Sequence, residues 1–165
     1  MKLIYLLIAF SLSFSSFSNE LSRPPLRGEG EYKWFFFNVY EVKLWAPSAE
    51  NLYSNSLLLE IKYKKSFKGI DIVKQSEKEL VHAGVDSSVV SKWKGKLLEI
   101  FPDVKAGDRI LASFLPSEGI TFYLNSTKEL GRIVDLSFSK SFLDIWLGDK
   151  TSDPDLRDKL LGRKL

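Results

Sequence analysis

Phe142-Leu143-Asp144-Ile145-Trp146-Leu147-Gly148, followed by Leu156-Arg157-Asp158-Lys159-Leu160-Leu161-Gly162, is the stretch that decides the fold. A Trp set between Ile and Leu and closed by Gly reads as a buried helix end with a left-handed glycine cap. The second run repeats that logic, a short amphipathic helix that stops at Gly162. Asp153-Pro154 opens it, an N-cap followed by proline at the first helical position. The chain thus closes on two helices, about Val134 to Leu147 and Pro154 to Leu161.

Upstream, the periodicity alternates between strand and helix. Leu26 to Trp45 reads as two long strands, the second beginning at Trp34; in it Tyr40, Val42 and Leu44 share one face and Glu41 and Lys43 the other. Leu57 to Tyr63 is a third strand. A helix face then runs through Ile70, Val73, Glu77, Leu80 and Val81 to Gly84. Asp86-Ser87 caps a second helix, which Pro102 stops. Arg109 to Leu115 and Ile120 to Leu124 form a hairpin, and Leu130 to Ile133 is a last short strand. Strands, a helix pair, more strands and a second helix pair make an α+β order, with helices on one face of an antiparallel sheet. Hairpin-length connections argue against a parallel sheet.

The N-terminus reads as a targeting signal. Lys2 gives a positive start, Leu3 to Phe10 is apolar, and Ser16-Phe17-Ser18 is a small-x-small cleavage site. The apolar run falls far short of the ~20 residues a membrane span needs, and no later stretch could span a bilayer. The expected organisation is residues 1–18 as signal peptide, 19–25 as a flexible lead with Arg23-Pro24-Pro25 extended, and 26–165 as one domain. Export to a bacterial periplasm follows.

With no Cys and a single His, disulfides, thiol chemistry and His-rich metal sites are excluded. No cofactor is expected. The formal charge is +3. Lys62, Lys64, Lys65 and Lys68, interleaved with Tyr63 and Phe67, form the densest basic run. Such a run could track a nucleic acid. In an exported chain it reads better as lysines guarding a strand edge, so nucleic acid is not an expected partner. Gly28 and Gly30 lack the strand–loop–helix setting of a phosphate loop and read as points of close backbone approach. His82 near a helix end suits the helix dipole better than a general base. Asp144 reads as one half of an ion pair with Arg157 or Lys140. Asp108 after Gly107 reads as a turn former.

Several of these segments together resemble the bacterial branch of the chalcone isomerase-like family. They are Phe36-Phe37-Asn38-Val39-Tyr40, Phe101 with Ala106-Gly107-Asp108, and the Ile145-Trp146-Leu147-Gly148 and Leu160-Leu161-Gly162 ending. The resemblance covers nearly the whole chain after the signal, in order. It implies an open-faced β-sandwich, a large antiparallel sheet with a layer of α-helices. The family's plant enzymes cyclise a chalcone with an Arg on the first long strand, a Thr on the second, and a Tyr with an Asn or Lys around the first helix. Those donors stabilise charge that develops on a ketone oxygen. Counted back from Tyr40, the Thr position falls on Phe35, which has no hydroxyl. The Arg position falls near Tyr32, and Arg27 reaches it only through a register slip. Lys68, Lys74 and Gln75 lie around the first helix, without a matching Tyr.

The family also includes fatty-acid-binding proteins, which use the cleft between sheet and helices and hold a carboxylate with an Arg and a Tyr. The resemblance therefore implies an exported, non-catalytic protein for a small apolar or fatty-acid-like ligand. Arg27, Tyr32, Phe35, Arg109, Phe138 and Phe142 are the candidate ligand-binding residues. Trp34, Phe36, Phe37 and Trp146 add apolar wall. The same aromatics could instead fill a solid core. Two alternatives stay open: an intramolecular lyase with a rearranged donor set, and an envelope protein-interaction module with no pocket.

Overall fold

The computed structural model describes residues 23–163; the expected signal peptide and residues 19–22 of the lead lie outside them. Six antiparallel strands follow one another across a single sheet in chain order. They are β1 (Leu26–Trp34), β2 (Phe37–Trp45), β3 (Leu57–Tyr63), β4 (Arg109–Leu115), β5 (Gly119–Leu124) and β6 (Lys128–Ile133). Helices α1 (Gly69–His82) and α2 (Ser87–Ile100) lie between β3 and β4, and α3 (Leu136–Leu147) and α4 (Pro154–Leu160) close the chain. All four follow the element order expected from the sequence. The chain is α+β, an open antiparallel sheet with a helical layer.

Capping fixes where the helices begin. Asp86 accepts from the Ser88 N–H at 2.8 Å, Asp135 from Phe138 at 3.0 Å and Asp153 from Leu156 at 3.0 Å. Helix α1 has no cap of its own. Asp103, just past Pro102, supplies one: it accepts from the Gly69 N–H at 2.9 Å and pairs with Lys68 at 2.7 Å.

One face of the sheet is buried. Val42, Leu44, Leu59, Ile61, Ile110, Ala112, Phe114, Ile120 and Phe122 alternate with outward residues and pack beneath the helices. Phe122, Phe138 and Phe142 join this face to α3, with Phe122 and Phe142 edge to face at 5.1 Å.

Four readings of the sequence are corrected. The second strand starts at Phe37, because Phe35 and Phe36 form the two-residue turn of the β1–β2 hairpin. Gly148 is extended (φ −76°, ψ 158°), so it does not cap α3 in a left-handed conformation. A Cβ there would come within 2.8 Å of Asp144, so glycine serves close approach; Gly162 (φ 66°) is left-handed as expected. The basic run guards no edge. β3 is interior, and Lys62 and Lys64 both pair with Glu41 on β2. Finally, α1 is rotated from its expected face: Gly69, Val73, Ser76 and Leu80 are buried while Ile70 and Val81 are exposed.

The edge strand β1 is covered by α4. Gly28 and Gly30 let the helix settle onto it, since a Cβ at Gly30 would lie 2.6 Å from Leu156 Cδ1 and one at Gly28 would strike the carbonyls of Lys159 and Leu160. Arg27 Nε donates to the Leu161 carbonyl at 3.1 Å and fastens the helix end. The end of the lead is also tied down: the Pro25 carbonyl accepts from Ala46 N at 3.1 Å, and Arg23 lies over the Trp45 ring.

Two glycine substitutions should therefore act with opposite sign. Gly28→Ala is expected to cost about 1–3 kcal/mol by forcing α4 off the strand. Gly95→Ala, with nothing within 4 Å of the added Cβ, is expected to gain about 0.5–1 kcal/mol by favouring the helix. Urea unfolding of both variants checks this.

Candidate functional site

Between the inner face of the sheet and α1 lies a cavity of about 660 Å³. Its floor is Tyr32 from β1, Phe37, Val39 and Tyr40 from β2, and Ile61 and Tyr63 from β3. A bulge makes this floor. Tyr32 pairs with Tyr40 and Lys33 with Asn38, which leaves Val39 as the extra residue on β2. Val39 and its neighbour Tyr40 can then both face the cavity, against the strict alternation of a strand. The roof is the α1 stripe Asp71, Ile72, Gln75, Ser76 and Glu79, spaced three and four apart along one side of the helix. Phe101, Phe142, Ile145 and Trp146 form the deep wall, and Thr151, Ser152, Asp153 and Leu156 close the α4 side.

The hydroxyls of the floor are neutral. Tyr32 and Tyr40 stack at 4.9 Å, and Tyr63 meets Tyr40 edge to face. Trp146 Nε1 donates to Tyr40 Oη at 3.2 Å. Burial pushes the phenol pKa of Tyr40 and Tyr63 well above its ordinary value. Burial also raises Tyr32, and the nearby carboxylates of Glu79 and Asp153 raise it further. These groups are therefore phenols at neutral pH. Two other hydroxyl protons are already committed, Ser76 to the Ile72 carbonyl at 2.9 Å and Thr151 to the Ile145 carbonyl at 2.7 Å. The charged groups, Lys65, Asp71, Glu79 and Asp153, are exposed or half-buried and sit at the rim. Among the described residues Lys65 is the only cation on the lining, and its Nζ lies 4.2 Å from the Phe37 ring centroid. An apolar pocket with neutral hydrogen-bonding groups and a charged rim is the general form of a small-molecule binding site.

Of the six residues expected from the sequence, the structure brings Tyr32 and Phe142 together on the lining. Phe138 is fully buried behind Phe142, their centroids 5.7 Å apart, and reaches no part of the cavity wall. Phe35 sits on the hairpin turn with φ 54°, 79% exposed, because the strand ends before it. Arg27 is held at the end of α4 by the Leu161 carbonyl. Arg109 starts β4 on the opposite face of the sheet, 4.0 Å from Glu60. Among the described residues the lining carries no arginine. The sequence reading missed Tyr40, Tyr63, Lys65 and the α1 stripe as site residues. One signal was available: Gln75, Ser76 and Glu79 place polar groups beside the apolar positions Val73 and Leu80, as expected where a helix faces a cavity rather than core.

Asp144 lies outside the cavity. It accepts a hydrogen bond from the Tyr53 hydroxyl, in place of the expected ion pair, while Arg157 reaches Asp149 and the Leu147 carbonyl. Asp108 is a turn former as read, accepting from the Lys105 N–H at 2.8 Å. His82 is exposed in the last turn of α1. Among the described residues, no group of three or more His, Cys, Asp or Glu is placed to hold a metal ion.

The sequence model of the family described as chalcone isomerase-like matches residues 23–162. The chain belongs to the chalcone isomerase-like family. A solved structure similar to it is the crystal structure of an Arabidopsis thaliana fatty-acid binding protein, with a TM-score of 0.65 and 12% identity over 83% of this chain and 86% of that one. At that identity the likeness is one of fold. No curated protein sequence matches the chain.

Two substitutions probe this region. Trp146 is 8% exposed, so Trp146→Ala is expected to cost about 3–5 kcal/mol in urea unfolding. Burial raises the Asp144 carboxyl above its ordinary value of 3.8. The native state thus holds that proton more tightly than the unfolded chain, and stability from this group falls as pH rises through the interval above 3.8. Asn at this position still accepts from Tyr53 but cannot ionise. Asp144→Asn should therefore gain on the wild type as pH is raised from about 4 to 7, and the advantage should vanish in more acid solution. Urea midpoints across that range measure it.

Proposed function

We propose that this chain is an exported, non-catalytic binding protein for a small apolar or amphipathic ligand such as a fatty acid. The cavity carries this reading: about 660 Å³, walled by Ile61, Ile72, Phe101, Phe142, Ile145 and Trp146. That volume lies within the ~300–1,000 Å³ of ordinary ligand pockets. The likeness in fold to a fatty-acid binding protein supports the same reading.

An acyl chain would lie along the α1 stripe, its end against Phe142 and Trp146. A carboxylate would stay at the rim, where Lys65 is the available cation and the phenols of Tyr32, Tyr40 and Tyr63 are neutral donors. This site differs from the arginine-based carboxylate clamp implied by the family resemblance. Asp71, Glu79 and Asp153 share the rim. The charge of Glu79 and Asp153 would weaken an anionic headgroup placed near Tyr32, so the Lys65 end is the end for a carboxylate.

The donor set of the site supports a non-catalytic role. Cyclisation of a phenol onto an enone needs a phenolate nucleophile and oriented donors for the growing oxyanion. Among the described residues the lining offers no arginine as such a donor. Phe35, at the position of the hydroxyl donor in the enzymes, is on the hairpin turn.

The test is binding of a fluorescent fatty acid, with displacement by unlabelled palmitate. Saturable one-site binding is expected. Ile72→Trp, which fills the roof, is expected to weaken it about tenfold or more while the unfolding midpoint stays near that of the wild type. Binding unaffected by Ile72→Trp would place the ligand elsewhere. Chalcone absorbance should decay in the presence of the protein no faster than in buffer.

A further inference from the structure

The β1–β2 hairpin ends in three consecutive phenylalanines. Phe35 is 79% exposed, Phe36 96% and Phe37 60%. The turn breaks two rules at once. Two-residue hairpin turns favour Gly, Asn or Asp because the backbone enters the left-handed region, yet Phe35 stands at φ 54°. Large apolar side chains are also exposed to water at the tip of a projection, where burial contributes little. A local conflict of this kind marks a functional segment more often than a structural one.

We infer that this tip docks on a lipid bilayer, with Phe35, Phe36 and Phe37 inserted at the level of the headgroups and upper acyl chains. Shape favours a bilayer over a protein groove, because the apolar group is a narrow projection from a sheet rather than a flat patch. Charge agrees. From Tyr32 to Tyr40 the only ionisable charge is Lys33, and Lys65 lies against Phe37. Among the described residues Glu31, at 3.8 Å from Lys33, is the one carboxylate that pairs with either lysine. Lysines flanking inserted aromatics suit the anionic surface of a membrane.

The position of the tip adds a consequence, which rests on the binding reading above. Phe37 and Lys65 belong both to the tip and to the lining of the cavity. With the tip inserted, the Lys65 end of the cavity lies at the headgroup level. An amphipath could then pass between membrane and cavity while its tail stays out of water and its charged end stays near Lys65.

The chain contains no cysteine, so single nitroxide labels can be placed cleanly. Phe36→Cys puts one on the tip. Ser117→Cys puts one on the β4–β5 turn, at the opposite end of the sheet. With vesicles of phosphatidylcholine and phosphatidylglycerol, the label at 36 should gain accessibility to oxygen and lose it to a water-soluble nickel chelate. The label at 117 should change in neither. In sedimentation with the same vesicles, Phe36→Ser should lower partitioning about tenfold. Phe36 is not on the cavity lining, so the variant should bind the fluorescent fatty acid like the wild type. An aqueous label at 36 on vesicle-bound protein, equal partitioning of Phe36→Ser, or no binding of the wild type to vesicles would each overturn the inference. Loss of vesicle binding in Phe36→Ser with no fatty-acid binding by any form would leave the docking standing and remove the proposed function.

Discussion

The contact between Trp146 and Tyr40 is the constraint on which the site depends. The indole is buried in α3, its ring packed on Phe142 at 5.5 Å, and its N–H reaches across to the Tyr40 hydroxyl on β2. A buried indole N–H without a partner is costly, so one hydrogen bond fixes the rotation of α3 and the position of the Tyr40 ring together. Tyr40 in turn stacks on Tyr32 and meets Tyr63, which ties the inner faces of β1, β2 and β3 into one aromatic floor. With the floor tied to α3, the cavity wall is held from two sides without filling the space under α1.

The space remains open because α1 buries no aromatic side chain. Its buried positions are Gly69, Val73, Ser76 and Leu80, and none of them is aromatic. The helix start is anchored from a distance by Asp103, and the helix packs chiefly against α2 and α3 rather than the sheet. The β2 bulge at Val39 widens the floor at the same end. A wall of large residues, a roof without aromatic side chains and a bulged floor make a cavity where a solid core was the alternative.

Much of the fold was legible in the sequence. Asp86 and Asp153 lie where helices begin, and the alternation of Val42 and Leu44 with Glu41 and Lys43 marks a half-buried strand. The close-approach glycines 28 and 30 were readable because nothing else explains glycine in a strand. Less of the site was legible, for physical reasons. Phe35 and Phe36 look like strand in a run of aromatics, and only the backbone shows the turn. Phe138 and Phe142 are indistinguishable by pattern, yet one is core and the other cavity wall. Arg27 was weighed as a ligand for its charge, but its partner is a carbonyl at the far end of the chain. Lys65 reaches the cavity and the Phe37 ring through contacts that sequence spacing does not reveal.

The central claim is that the space beneath α1 is filled by an apolar or amphipathic small molecule. The most direct measurement is mass spectrometry of the protein purified from its host without detergent, first intact under non-denaturing conditions and then after organic extraction. The account predicts an adduct with one small molecule per chain, extracted as an amphipath with an apolar tail, and absent or strongly reduced in Ile72→Trp. The bare mass of the chain, with no extractable small molecule and no adduct after incubation with palmitate, would contradict it.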